Sequence, residues 1–167
     1  MNLKQAFPVL AVAGMLPLLA HADAGHDMKH MPMEDHAQYK GHAAALGKPA
    51  KAAQATRTVE VTMSDAMRFE PERIQVKRGE TIRFVVRNQG QVKHEMVLGS
   101  MAELKEHAAM MLKFPEMEHD DPNAVHVEPG KSGEFAWTFS KAGTFDFACL
   151  MPGHYEAGMK GKIVTTK

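Results

Sequence analysis

The sequence predicts an all-β domain, a Greek-key β-sandwich or barrel, with a short helical insertion at about residues 100–114. Three observations lead there. From Val59 onwards, short apolar–polar alternations recur with the two-residue period of half-buried strands. Turn signals separate them: Arg78-Gly79, Asn88-Gln89-Gly90, Glu128-Pro129-Gly130-Lys131 and Lys141-Ala142-Gly143. One stretch, Ser100 to Pro115, switches to helical spacing. Some seven or eight short strands joined in this way fit a sandwich or barrel.

The chain starts with a different kind of sequence. Met1-Asn2-Leu3-Lys4 is a short basic start, and Phe7 to Ala20 is apolar. Ala20-His21-Ala22 and Ala22-Asp23-Ala24 both offer small-x-small cleavage sites. Residues 1–22 therefore read as a secretory signal peptide, short for a spanning helix. The expectation is an exported protein of the bacterial periplasm, with no membrane span after cleavage.

Residues 23–56 read as a flexible tail and linker. The tail holds His26, His30, His36 and His42, with Met28, Met31 and Met33 among them, interrupted by Gly, Pro and charged residues. Imidazoles suit Cu(II) and thioethers suit Cu(I), so such a tract can hold copper in either state. A merely solvated tail is the plain alternative, but His-rich tracts commonly bind metal. Ala43 to Thr56, rich in Ala and Lys around Gly47-Lys48-Pro49, reads as a linker.

The domain proper spans residues 57–167. Val59, Val61 and Met63 alternate with Glu60 and Thr62, and Phe69-Glu70-Pro71 leads into Ile74-Gln75-Val76-Lys77. In Thr81 to Arg87, Ile82, Phe84 and Val86 face one way and Arg83 and Arg87 the other. His94, Met96 and Leu98 share one face of the next strand. Ser100 with Glu103 makes a capping box, and Met101, Leu104, Ala108, Met111 and Leu112 follow at helical spacing until Pro115. This apolar stripe is expected to pack on the sheet. Its Met101, Met110 and Met111, with His107, Met117, His119 and His126 nearby, also offer a second set of metal donors.

Val125 and Val127 precede the Glu128 to Lys131 turn. Phe135, Trp137 and Phe139 alternate inward from Ala136 and Thr138. Phe145, Phe147 and Cys149 share one face of the following strand, and Lys160 to Thr165 closes the domain.

Composition narrows the function classes. The 167 residues carry no net formal charge, which argues against nucleic-acid binding. Fourteen Met and ten His stand against one Cys. A lone thiol in an oxidising compartment cannot form an internal disulfide, and capture by a metal removes that liability.

The loop after Phe147 reads Cys149-x4-His154-x4-Met159, with Pro152-Gly153 and Gly158 as turn residues. It offers a thiolate, an imidazole and a thioether; a trigonal copper site with a long axial Met needs one more imidazole. His94 is the candidate. Alone it would be a strand-edge histidine as readily as a ligand, and the downstream loop decides for ligand. The chemical rival, a nucleophilic Cys149–His154 pair, lacks an evident orienting group or oxyanion site.

These residues resemble the cupredoxin family of blue copper proteins, from roughly Val59 to Lys167. The resemblance implies one type 1 copper held by His94, Cys149, His154 and Met159. The loop spacing is similar to that of rusticyanin. Many cupredoxins carry Asn just after the first histidine, where it ties the two ligand loops together; Glu95 stands in that place here. The tail and Met-rich insertion look most like the exported copper-tolerance cupredoxins of the CopI type. That likeness implies a periplasmic protein that binds, buffers or carries copper, its partners being copper ions and a redox or copper-export protein. A soluble electron carrier of the rusticyanin or azurin kind is the alternative. An enzyme is not expected, since multicopper oxidases add a trinuclear cluster and further domains.

Overall fold

The structure is a computed structural model and describes residues 42–114 and 121–167. In chain order its strands are Gly47–Ala50 (β1), Arg57–Ser64 (β2), Arg68–Glu70 (β3), Arg73–Lys77 (β4), Thr81–Asn88 (β5) and His94–Gly99 (β6). The helix Met101–Lys113 (α1) follows, then Ala124–Val127 (β7), Ser132–Phe139 (β8), Gly143–Ala148 (β9) and Lys160–Thr166 (β10). One sheet has the order β1-β8-β5-β2-β3 and the other β4-β10-β9-β6-β7. β2 pairs parallel with β5, and β4 with β10; the other pairings are antiparallel. The chain crosses repeatedly between sheets, so the protein is the all-β sandwich with one helix that the alternation predicts.

The inward positions form one core. Ile82, Phe84 and Val86 of β5 are fully buried, together with Val61 and Met63 of β2 and Phe139 of β8. Phe84 stacks on Phe135 with ring centroids 5.0 Å apart, and Phe69 meets Phe147 edge-on, also at 5.0 Å. Burying an aromatic or large aliphatic side chain stabilises the fold by about 1.5–3 kcal/mol before entropy is counted. The rings therefore fix where β9 lies and where Cys149 emerges from its end.

The helix is built as its sequence demands. Ser100 Oγ accepts from the Glu103 N–H, and the Glu103 carboxylate accepts from the Ser100 N–H at 2.6 Å. Its inner face carries Leu104, His107, Ala108 and Met111. Leu104 and Ala108 pack with Val97, Ala148 and Leu150 in a second apolar cluster on the outer face of the sheet. This cover buries the outward-facing Val97 of β6, while Met96 and Leu98 face the main core.

The expected linker needs correction. Residues 47–50 are strand β1, paired with β8 so that Gly47 lies opposite Phe139 and Ala50 opposite Ala136. A 3-10 turn, His42–Ala45, precedes it, and Leu46 has no exposed surface. A side chain on Gly47 would strike the Thr138 carbonyl, so this close approach needs glycine. Pro49 is tolerated because β1 lies at the sheet edge. The folded domain thus includes described residues ahead of residue 57, from His42, rather than opening there. The signal-peptide reading of residues 1–22 and the tail donors His26, Met28, His30, Met31, Met33 and His36 lie outside the described residues. Among the described residues, no helix is long and apolar enough to cross a membrane.

Candidate metal centre

Two segments meet at one end of the sandwich. The first is the loop into His94, held by Asn88. This buried amide donates to the Val92 and Val127 carbonyls at 2.7 and 2.9 Å and accepts from the Gly90 N–H at 2.8 Å. Its hydrogen bonds fix how the chain enters β6 and therefore where His94 starts. The second segment runs from Cys149 to Met159. Its backbone folds onto itself: His154 N–H donates to Met151 O, Met159 N–H to His154 O, and Cys149 N–H to Met159 O, at 2.9–3.0 Å. Gly153 and Gly158, at φ +85° and +96°, provide the left-handed turns this requires. Arg68 clips the loop to β3 by donating to Ala157 O at 3.2 Å.

The side chains converge. Cys149 Sγ lies 3.2 Å from His154 Nδ1 and 3.9 Å from His94 Nδ1, and the two imidazole nitrogens are 3.1 Å apart. Among the described residues, the Cys, His and acidic groups with metal-ligand geometry are His94, Cys149 and His154, with all ligand atoms within 4.8 Å of one another. Cys149 and His94 are fully buried, and His154 is partly exposed. Met159 is fully buried in the same core cluster as Cys149, with its backbone bonded to both Cys149 and His154. One sulfur and two imidazoles crowded this closely, with a thioether residue beside them, fit a soft or borderline transition metal such as copper.

Electrostatics agree with a site built for a cation. Burial pushes the Cys149 thiol up to about 12, with the Glu95 charge adding to the rise. The N–H groups of Glu95 and Met151 point at the sulfur and pull the other way. Without a metal the sulfur therefore keeps its proton. Burial, and then the neighbouring His94, lowers His154, which favours the neutral imidazole that a metal requires. His94 Nε2 lies 3.1 Å from Asp65 Oδ1, so an N–H there leaves Nδ1 facing the sulfur. The Gln91 N–H holds the Asp65 carboxyl below its ordinary range, and His94 adds to the effect.

Sequence reasoning missed Asp65 and Asn88 as residues that shape this site. Their hydrogen bonds reach across loops, and neither residue type carries a local metal signal. Glu95 makes the loop tie expected of Asn at its position: its Oε1 accepts from the Leu150 N–H at 2.8 Å. A carboxylate oxygen and an amide oxygen are equivalent acceptors here.

The second donor set disperses. Met101 Sδ accepts from the Tyr155 hydroxyl at 2.7 Å, His107 and Met111 are buried on the inner face of α1, and His126 lies against Glu95. Met117 and His119 lie outside the described residues.

Comparison with known proteins fits this arrangement. The family described as copper binding proteins, plastocyanin/azurin family, matches residues 55–166, and the chain belongs to that family. Its relatives include the copper-resistant cuproprotein CopI of Rubrivivax gelatinosus, 53% identical over 158 residues that cover 93% of each chain. CopI of Pseudomonas aeruginosa is 44% identical, over 73% of this chain and 83% of its own. Among solved structures, auracyanin B superposes with a TM-score of 0.61 at 25% identity, covering 72% of this chain and 96% of its own.

Proposed function

We propose that this chain is an exported, periplasmic copper-tolerance protein. It binds copper through His94, Cys149, His154 and Met159 and buffers or carries the ion, catalysing no reaction on it. The observation that carries this reading is the convergence of three ligand atoms within 4.8 Å at the end of a rigid sandwich. The relatives named copper-resistant cuproproteins support tolerance as the purpose. The tail, with four His and three Met between residues 26 and 42, supplies further donors that a carrier or scavenger uses and a plain electron shuttle does not need. Its partners are copper ions and a periplasmic redox or copper-export protein.

Copper bound here supplies one-electron chemistry. The chain's own contribution is to hold the donors still: strand ends fix His94 and Cys149, and the self-bonded loop fixes His154 and Met159. That rigidity also favours a second reading, soluble electron transfer, because small ligand movement lowers the barrier to changing oxidation state.

Copper titration of the mature chain, followed by absorbance and metal analysis, tests the proposal. An intense visible charge-transfer band that disappears in Cys149→Ser is expected, with further copper bound until residues 23–41 are deleted. A colourless copper complex rejects the central site. Growth in excess copper unchanged by the tail deletion, together with loss of redox-partner turnover in Cys149→Ser, favours the electron carrier.

A further inference from the structure

Glu95 and His126 lie outside the donor set yet are joined to it. Glu95 is fully buried, and its backbone N–H reaches Cys149 Sγ at 3.4 Å. Its Oε1 takes the N–H of Leu150, the residue directly after the ligand cysteine, at 2.8 Å. Its Oε2 lies 3.1 Å from Nδ1 of His126. His126 stands directly across from Glu95 in the β6–β7 ladder, with 29% of its side chain exposed. A neutral amide at position 95 would tie Leu150 equally well. A buried carboxylate adds a second strong acceptor, which is costly unless a donor meets it. His126 brings a ring nitrogen within 3.1 Å of that oxygen from the next strand, without the alignment of a hydrogen bond.

We propose that Glu95 and His126 form a positioning pair for the Cys149 ligand, a role that rests on the copper-site reading above. His126 fixes the orientation of the carboxylate, and the carboxylate fixes the Leu150 backbone and hence the direction of the Cys149 sulfur. Neither side chain is a copper ligand. Partners of this kind orient metal ligands, and their loss commonly lowers metal affinity about 10- to 100-fold. The pair also gives His126 a role other than metal binding in the methionine-rich region.

The test uses the full mature chain loaded with Cu(II), read by its visible absorption, its electron paramagnetic resonance and its copper transfer to a competing chelator. Glu95→Ala should shift the charge-transfer band and weaken copper binding about 10- to 100-fold. His126→Ala should move both readouts in the same direction by a smaller amount, although residue 126 is no ligand. His126→Gln, which retains a donor, should restore most of the spectrum. The double variant should be no worse than Glu95→Ala alone, because the two act through one contact. If Glu95→Ala does not fold, Glu95→Gln replaces it and the same non-additivity with His126→Ala is required. A wild-type spectrum and affinity in His126→Ala, or strictly additive effects, overturn the pair. A wild-type chain with no charge-transfer band instead overturns the copper site, and the pair's role with it.

Discussion

The buried Cys149 thiol keeps its proton, which copper bound at the proposed site would have to displace. Its thiol is raised from 9.0 to about 12 by burial and then by the Glu95 charge. A raised folded-state value means that this group stabilises the metal-free fold below pH 9.0 and loses that contribution as the pH climbs through about 12. Two outcomes follow. The metal-free chain should show no thiolate absorbance, and slow reaction with thiol reagents, until well above pH 9.0. Cu(II) uptake at neutral pH should release a proton and tighten as pH rises; calorimetry in buffers of different ionisation enthalpy measures it. Proton-free uptake would contradict the buried-thiol account. Met159 is tested separately: on the proposed ligand set, Met159→Leu should keep copper bound and raise the reduction potential, because a weak thioether donor to Cu(II) would be lost.

At the scale of elements, the instructive case is β1. Alternation revealed β2, β5, β8 and β9 because their apolar residues recur every second position. β1 has the sequence Gly-Lys-Pro-Ala, which contains no such signal, and its place depends on pairing with β8 and on buried Leu46 beside it. Leu46→Ala should therefore cost about 2–5 kcal/mol in chemical denaturation. The same change in a solvated linker would stay within about 0.5 kcal/mol. The helix was legible for the opposite reason. Its capping box and its apolar stripe are both local patterns, and both appear in the structure.

For the whole molecule, copper binding and folding are linked. The site draws on β6, the end of β9 and the loop beyond, so an unfolded chain cannot present the same donors together. An ion that binds only the folded chain stabilises it by about 2.7 kcal/mol at a free concentration of 100 times its dissociation constant. Removing copper with a chelator should accordingly lower Tm by roughly 5–15 °C. Cys149→Ser should show little difference between copper-loaded and chelated samples. An equal Tm with and without copper in the wild-type chain would mean that the centre does not assemble as described.

The sandwich, the capped helix and the Cys149-x4-His154-x4-Met159 loop were legible along the chain, because strand period, helix caps and loop spacing are carried by neighbouring residues; His94 became a candidate only through that loop. That residues 47–50 join the sheet, that Asp65 holds His94, and that Glu95 reaches both Leu150 and His126 emerges from the folded arrangement alone. Those contacts link positions far apart in the chain. Their existence depends on how two sheets and their loops pack, and one-dimensional spacing does not encode that distance.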